Sequence, residues 1–288
     1  MQLGIIYSLS ASALFGGMYY LATLLRRLSG ESLFGIRMVV TLPFLLFALF
    51  VLKKQAEFVA FAKRLKQKPH LILVLLLTSA IVGSQMWLFL WAPNSGKALE
   101  VSMGYLLMPI VAVALGKIVF KEHFTLLKWL SLGFAVLGVT SNIWLTGSFS
   151  WTTIVAGVGY PLYITLRRYF GINTLATFFV ELLLVMPFAG YFIAQADMQL
   201  IIADNQYIYY FLALFGLVNG AAFILYIASS NLLPVNVPGL LGYVEPLVML
   251  CISFMIGEVL DSKSYLLMIC LALAISLLTI DNFRLARK

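Results

Sequence analysis

The chain contains 288 residues, of which 62% are hydrophobic and only 10% carry a formal charge. Because soluble domains carry about 25% charged residues, this composition excludes a water-soluble globular protein and indicates an integral membrane protein. The net charge of +8 comes from basic residues between apolar runs, so we expect it to set membrane orientation and do not predict a nucleic-acid partner.

Apolar runs of membrane-spanning length occur ten times along the chain, since a helix needs about 20 residues to cross the hydrocarbon layer. In chain order the predicted spans are 3–25, 33–52, 71–92, 99–120, 125–145, 151–166, 175–194, 208–230, 238–257 and 264–283. The first is expected to be a retained helix, because its apolar run is too long for a signal peptide and no basic segment precedes it. The sixth is the shortest, and Gly157, Gly159 and Pro161 interrupt it.

The basic residues separate into two groups when the connections between spans are numbered from the N-terminus. Of the 19 Lys and Arg residues, 14 lie in even-numbered connections, within four residues of one, or at the C-terminus: Lys53, Lys54, Lys63, Arg64, Lys66, Lys68, Lys117, Lys121, Lys128, Arg167, Arg168, Arg284, Arg287 and Lys288. Arg26, Arg27, Lys97 and Lys263 lie in odd-numbered connections, and Arg37 lies inside the second span. Because cytoplasmic loops are enriched in Lys and Arg, both termini are predicted to be cytoplasmic.

Residues 99–122 and 237–258 repeat one pattern. The shared features are a Gly-Tyr pair, a proline, an apolar run and a final glutamate: Gly104, Tyr105, Pro109 and Glu122 in the first copy, and Gly242, Tyr243, Pro246 and Glu258 in the second. With five spans in each half, two tandem copies must lie in opposite orientations. The fold class predicted is therefore an all-α integral membrane protein with ten transmembrane helices in two inverted five-helix repeats, 1–147 and 148–288, around a site near mid-membrane.

Two carboxyl groups are predicted to lie deep inside spans. Glu181 is about seven residues into the seventh span, and Glu245 is about as deep in the ninth. Charge inside a membrane is costly and usually faces a cavity, so either carboxyl is a candidate for binding protons or a substrate amine. The alternative is a neutral carboxyl held by a hydrogen bond from a neighbouring helix.

Two further charged residues are predicted on the outer side. Arg37 lies one turn into the second span, and Glu100 lies at the start of the fourth, so an ion pair between them could gate the outer mouth. The alternatives are that Arg37 reaches to the membrane interface and that Glu100 complements the positive N-terminus of its helix.

Aromatic residues form a second set of candidates. Trp87 and Trp91 share one face of the third span, with Gln85 close by, and Tyr105 and Tyr243 follow the repeated glycines. Such rings would suit a flat or ring-bearing substrate, although helix packing is an alternative role for each of them. Asn219 in the eighth span is a further polar candidate.

The sequence contains no motif for ATP hydrolysis, no HExxH and no GxSxG, so an enzyme is not predicted. Cys251 and Cys270 lie in apolar runs, and His70 and His123 lie in basic connections. Neither pair forms a pattern typical of a metal site, and no metal or other cofactor is predicted.

The pattern of five plus five spans, with a proline and a terminal glutamate in the fourth and ninth, resembles the EamA family of the drug/metabolite transporter superfamily. Residues 91–109, WAPNSGKALEVSMGYLLMP, are similar to its RarD branch, as are the positions of Arg37 and Glu181. Gln85, the run FKEHF at 120–124 and Glu245 before Pro246 depart from the residues usual in the family. Glu245 is interpreted as a mark of this protein's own substrate choice or proton step.

The resemblance implies a multi-pass permease of the bacterial inner membrane, in many relatives an exporter of amino acids or other small metabolites. The RarD name is tied to chloramphenicol sensitivity. The function predicted is secondary active transport of a small, polar or aromatic metabolite by alternating access, with proton or counter-substrate coupling and the lipid bilayer as surroundings. The alternative is a non-transporting membrane sensor or assembly partner; the sequence carries no signal for the oligomeric state.

Overall fold

The computed structural model describes residues 2–25, 28–147, 150–196, 207–232, 241 and 243–286. Within these residues the chain contains eleven α-helices, two short 3-10 helices and no strand. The α-helices are α1 (Gln2–Leu24), α2 (Gly30–Val51), α3 (Gln55–Gln67), α4 (Leu71–Trp91), α5 (Ala98–Phe120), α6 (Leu126–Thr146), α7 (Trp151–Tyr169), α8 (Leu175–Ala194), α9 (Ile208–Leu232), α10 (Val244–Met255) and α11 (Tyr265–Ala286). The 3-10 helices are Ala92–Asn94 and Ser262–Ser264.

Eight of the described helices are long and apolar enough to cross a membrane, namely α1, α2, α4, α5, α6, α8, α9 and α11. The predicted sixth span coincides with α7, which is less apolar than these eight. The predicted ninth span is represented by α10, whose described part has 12 residues. The molecule is therefore all helical with at least eight candidate spans, whereas the count of ten and the inverted arrangement remain predictions.

Helix α3 was not predicted from the sequence. It has 13 residues with charged and apolar side chains mixed, so it produces no apolar run of membrane-spanning length. Its Phe58 ring lies 5.8 Å from the ring of Phe179 in α8, and its Arg64 donates to the carbonyl oxygens of Phe170 and Gly171. An amphipathic helix of this kind is typical of a membrane surface, here on the Lys/Arg-rich side.

Hydroxyl side chains define where several helices begin. The N-cap residues Ser29, Thr125, Ser150 and Thr174 each accept a hydrogen bond from the backbone N–H three residues further on, at the starts of α2, α6, α7 and α8. Such a cap satisfies one of the free N–H groups of a helix start. At the opposite end of α6, Gly147 takes the left-handed conformation (φ 66°) that stops the helix.

The most extensive contacts join helices that are distant in sequence: α5 with α7, α1 with α9, α6 with α11, and α2 with α8. Each of these pairs takes one helix from residues 1–147 and one from residues 148–288. The halves of the chain are therefore interleaved, and a space between the helices is bounded by both of them.

Small residues allow the closest of these contacts. A Cβ atom placed on Gly104 of α5 would lie 2.5 Å from the carbonyl oxygen of Thr153 in α7, and one on Gly157 would lie 2.9 Å from the carbonyl oxygen of Gly104. Membrane helices lack a hydrophobic driving force for association, so they depend on such close backbone contact for packing energy. The two glycines therefore fix how α5 and α7 cross.

Candidate functional site

A cavity of about 370 Å³ lies between seven helices, α1, α2, α4, α5, α7, α9 and α10, with one side chain from α8. Aromatic rings form much of its wall: Phe15, Phe89, Tyr105, Tyr160, Phe178, Phe223 and Tyr226. Its polar lining consists of Ser8, Ser12, Arg37, Gln85, Ser229 and Glu245. A mostly apolar cavity with a few converging polar groups is the usual form of a small-molecule site.

Arg37 enters the cavity from α2 and is 6% exposed. Its guanidinium carbon lies 4.8 Å from the centre of the Phe89 ring, and its Nε has no hydrogen-bond partner in the described part of the chain. The backbone below it is fixed, because Thr41 donates to the carbonyl oxygen of Arg37 and Asn219 of α9 donates to Thr41. The Arg37 guanidinium is therefore held in position among mostly apolar side chains, and its Nε has no hydrogen-bond partner in the described chain.

Glu245 is the second residue of α10 and faces the same cavity, where it is half-buried. Its carboxylate makes no hydrogen bond or ion pair with any described residue. The charges of Arg37 and Glu245 are near enough to interact, yet they form no ion pair within 4 Å. The hydroxyls of Tyr105, Tyr160 and Tyr226 also lie within electrostatic range of Glu245.

Tyr105 and Gln85 lie side by side in the cavity wall. The Tyr105 hydroxyl donates to the carbonyl oxygen of Gln85 (3.4 Å), and the Gln85 side-chain amide donates to the carbonyl oxygen of Val155 in α7 (2.9 Å). The buried Oε1 of Gln85 has no partner among the described residues. Buried polar atoms are normally satisfied, so this free acceptor is available to a donor group in the cavity.

Glu181 does not line the cavity. It is fully buried and accepts hydrogen bonds from Thr78 of α4 (2.6 Å) and from the hydroxyl of Tyr163 in α7 (2.6 Å). Arg167 lies 3.6 Å away through its Nε and donates to the Tyr163 hydroxyl (2.8 Å). This buried network ties α4, α7 and α8 together. Hydrogen bonds across helices were part of the alternative prediction, but the ion pair with Arg167 differs from the neutral carboxyl that it assumed.

Arg167 was assigned from the sequence to a basic connection, but it lies in the last turn of α7 and is almost fully buried. The helix continues three residues beyond the predicted end at 166, which brings Arg167 into the bundle. The four-residue spacing from Tyr163 places both side chains on one helix face, and this was the signal available in the sequence.

Glu100 and Arg37 do not form the ion pair expected at the outer mouth. Glu100 accepts hydrogen bonds from Lys97 (2.5 Å), Ser150 (2.7 Å) and Thr152 (2.6 Å), so it joins the start of α5 to the start of α7. A carboxylate beside a helix N-terminus is electrostatically favourable, which was the alternative interpretation of Glu100.

The other predicted site residues lie outside the cavity lining. Trp87 packs on Trp91 with ring centres 5.2 Å apart, and its indole N–H donates to Glu31 (3.4 Å). Tyr243 is buried against α5 and α11, and its hydroxyl has no partner in the described chain. Asn219 holds α9 to α2 through Thr41. The repeated Gly242 and residues 233–240 of the predicted ninth span lie outside the described residues.

Sequence reasoning missed several cavity residues, including Phe89, Tyr160 and Tyr226. Tyr160 and the neighbouring Pro161 belong to the sixth apolar run, whose shortness and interruptions were noted in the sequence. In transporters, short segments interrupted by Gly or Pro often mark the binding site, so this run carried the signal.

At the Lys/Arg-poor end of the bundle, hydrogen bonds join the start of α5 to α1 and to the segment that follows α10. Glu258, which follows α10, accepts hydrogen bonds from the backbone N–H groups of Ala98 (2.9 Å) and Leu99 (2.6 Å) at the start of α5. Next to them, the Tyr19 hydroxyl donates to the carbonyl oxygen of Ala98 (3.2 Å). Because the free N–H groups of a helix start attract negative charge, the Glu258 carboxylate is well placed to stabilise the contact with the start of α5.

Residues 2–144 match the EamA-like transporter family. An uncharacterized transporter of Haemophilus influenzae is 48% identical over 97% of this chain and 94% of its own length. The chain belongs to the EamA-like transporter family. An uncharacterized transporter of Pasteurella multocida is 47% identical to this EamA-like protein over 99% of the chain and 98% of its own length.

A chloramphenicol-sensitive protein RarD of Pseudomonas aeruginosa is 32% identical over 99% of the chain and 96% of its own length. The resemblance to the RarD branch, seen first at residues 91–109, is thereby confirmed over nearly the whole chain. Together with the apolar helices, membership in this family makes the chain a multi-pass membrane protein of transporter type.

Proposed function

We propose that this protein is a secondary active transporter that moves a small metabolite, such as an amino acid or another small and partly aromatic compound, by alternating access. The observation that carries the proposal is the cavity between the two halves of the chain, in which Arg37 and Glu245 have no hydrogen-bond or ion-pair partner among the described residues. Unpaired charge in a membrane interior is costly and is typically retained for a substrate or ion pathway. Several relatives are named transporters, which supports the proposal.

The two halves, 1–147 and 148–288, are proposed to be inverted repeats, and the helix contacts support this. If the halves are repeats, α1 is equivalent to α7, and α4 is equivalent to α9. The contact of α1 with α9 is then equivalent to the contact of α7 with α4, and both contacts are present. The contact of α5 with α7 likewise corresponds to that of α10 with α1, and both occur. A transporter with such pseudo-symmetry can open its cavity toward either side of the membrane in two related conformations.

The structure is proposed to represent a state that faces the cytoplasm. The cavity lining includes Ser8 of α1, Ile164 of α7 and Ser229 of α9, all in the halves of their helices nearer the Lys/Arg-rich side. At the opposite end, Glu258 accepts hydrogen bonds from the start of α5, which supports a closed outer end. A bacterial inner membrane, with the Lys/Arg-rich side in the cytoplasm, is the proposed location.

Reconstitution in liposomes tests transport directly. Purified protein is reconstituted, and exchange of radiolabelled amino acids, nucleosides and organic acids is measured against protein-free liposomes and a heat-unfolded sample. We expect protein-dependent exchange of at least one compound. Folded protein that moves none of them would contradict the proposal and favour the alternative of a membrane sensor or assembly partner.

Glu245 is the residue proposed to couple substrate transport to a second solute, either by binding a proton or by taking part in the exchange of counter-substrates. Its cavity neighbours with charge or titratable hydroxyls are Arg37, Tyr105, Tyr160 and Tyr226. We expect a proton gradient to drive uptake or efflux in the original protein and to have no effect in Glu245→Gln. Equal gradient-driven flux in both proteins would exclude Glu245 as the proton carrier.

A further inference from the structure

Helix α3 and its flanks carry a large share of the positive charge of the chain. Residues 53–68 contain six of the 19 Lys and Arg residues and a single acidic residue, Glu57, which pairs with Lys54 (3.0 Å). Four lysines of this segment are exposed and make no hydrogen bond or ion pair with any described residue: Lys53, Lys63, Lys66 and Lys68. The last three stand together at the end of α3, and we call them the α3 lysine cluster.

Two contacts place α3 at the depth of the lipid headgroups. The Phe58 ring lies 5.8 Å from the ring of Phe179, which is the fifth residue of α8 and therefore about 6 Å along the axis from the start of that helix. Arg64 donates to the carbonyl oxygens of Phe170 and Gly171, in the turn that precedes α8. The headgroup region of one leaflet is about 5–8 Å thick, so a helix held at the end of a membrane span by both contacts lies inside it.

The two faces of α3 suit this position. Half-buried apolar side chains recur on one face of the helix: Phe58, Phe61 and Leu65. Lys63 and Lys66 lie on the other side, and Val59, which is 58% exposed, lies between them. Lysine stems can cover apolar surface while their ammonium groups reach the headgroups, so this face has the composition of a helix that rests in the headgroup layer.

The charge of the α3 lysine cluster discriminates between lipids. A zwitterionic headgroup brings an ammonium together with its phosphate, and that ammonium is repelled by the lysines. An anionic headgroup such as phosphatidylglycerol offers the phosphate alone. Each Lys near an anionic lipid surface strengthens binding by about fivefold, so three lysines favour an anionic lipid by at least about tenfold. The depth of α3 favours lipid over an acidic protein, because lipid headgroups already fill this layer.

We propose that the α3 lysine cluster is a docking site for anionic phospholipid headgroups. The bound lipid supplies the negative charge that the described chain does not, and it holds α3 against the start of α8. Through Arg64, it also stabilises the turn at Phe170 and Gly171 between α7 and α8. The site is separate from the cavity, whose lining includes no residue of α3, so the proposal does not depend on the transport function.

Lipid binding to the whole protein tests the site. Purified protein in maltoside micelles is titrated with phosphatidylglycerol or with phosphatidylcholine of the same acyl chains, and bound lipids are counted by native mass spectrometry. We expect the first phosphatidylglycerol to bind at least about tenfold more tightly than phosphatidylcholine. Glycerol phosphate at the same concentration, which has the anionic group without acyl chains, should not displace it.

Matched variants locate the bound lipid. One variant neutralises the α3 lysine cluster: Lys63→Gln, Lys66→Gln and Lys68→Gln. The control neutralises three lysines near the junction of α5 and α6, on the same Lys/Arg-rich side: Lys117→Gln, Lys121→Gln and Lys128→Gln. We expect the first variant to lose the preference for phosphatidylglycerol to within about twofold, and the control to keep it.

Amide hydrogen exchange over residues 55–67 gives a second readout in the original protein, which applies even if a variant fails to fold. Phosphatidylglycerol should slow exchange in α3 several-fold, and phosphatidylcholine should not.

The inference is wrong if folded original protein binds both lipids equally, or if exchange in α3 responds equally to both. It is also wrong if the control variant loses the preference as fully as the cluster variant, because general positive charge would then explain the binding. Displacement of the lipid by glycerol phosphate would show a site for free anions and would likewise exclude lipid docking.

Discussion

At the scale of single residues, two carboxyl groups that look alike in the sequence, Glu181 and Glu245, have different surroundings. Glu181 is paired with Arg167 and accepts hydrogen bonds from Thr78 and Tyr163, whereas Glu245 faces a cavity and has no hydrogen-bond or ion-pair partner among the residues that the structure describes. A paired carboxylate stabilises the fold, and an unpaired one costs stability. The same substitution at the two positions should therefore have opposite consequences.

We expect Glu181→Gln to destabilise the protein by about 3 kcal/mol, because it leaves Arg167 buried without its counter-charge. Glu245→Gln is expected to leave stability unchanged or to raise it, because it removes an unpaired charge. Thermal unfolding of both variants in the same detergent and buffer measures the difference. A loss in Glu245→Gln as large as that in Glu181→Gln would contradict the assignment of Glu245 to a ligand.

At the scale of helices, the crossing of α5 and α7 depends on backbone contact. Thr153 and Gly104 are so close that a Cβ on Gly104 would meet the Thr153 carbonyl oxygen at 2.5 Å and the Ala156 Cβ at 2.7 Å. Backbone atoms cannot move aside as a flexible side chain can, so the helices would have to separate. The same crossing holds Tyr105 in the cavity wall, one residue after Gly104.

We expect Gly104→Ala to destabilise the protein by about 1–3 kcal/mol through overpacking and to weaken ligand binding in the cavity. Gly133→Ala in α6 is the matched control, since no atom lies within 4 Å of a Cβ placed there. That change should be neutral or stabilise the helix by up to about 1 kcal/mol. Equal unfolding temperatures for the two variants would show that the α5–α7 contact is looser than described.

At the scale of the whole molecule, alternating access requires one end of the cavity to open as the other closes. The end near the start of α5 is held by Glu258, whose carboxylate receives two backbone N–H groups. The hydroxyls of Ser102 and Ser253 meet 3.1 Å apart one turn further in. Under the proposed mechanism, opening to the outside would break these contacts, so their strength would set the balance between the two states.

We expect Glu258→Ala to increase the outward-open population. The measurement is the rate at which a membrane-impermeant thiol reagent, added outside intact cells, labels Ser12→Cys in the cavity, with Cys251 and Cys270 replaced by Ser. Labelling should be several-fold faster with Glu258→Ala. Glu122→Ala is the control, because Glu122 pairs with exposed Arg168 and should give no increase.

An unchanged labelling rate in Glu258→Ala, with the protein shown to be present in the membrane and folded, would mean that Glu258 does not hold the outer end shut. The packing around Tyr19 and Ala98 would then carry the closure alone.

The sequence by itself determined the membrane class, the helix positions and the family. Apolar runs between charges predicted nine of the eleven described α-helices to within three residues, because the length of a span follows from bilayer thickness, and the predicted span 238–257 contains α10. Segment 91–109 was specific enough to indicate the RarD branch. Helix α3 was missed because an amphipathic surface helix has no long apolar run.

Only the tertiary structure decided which charges meet. Arg37 lines a cavity together with Glu245 and does not pair with Glu100, which instead joins the start of α7. Arg167 is buried beside Glu181, although the sequence placed it in a connection. Arg37 and Glu245 share the cavity because helices of the two halves are interleaved, and glycine contacts set the crossing of α5 and α7 in its wall. Local periodicity determines where a helix lies in the chain, but a nearly uniform apolar surface does not specify which helix packs against it.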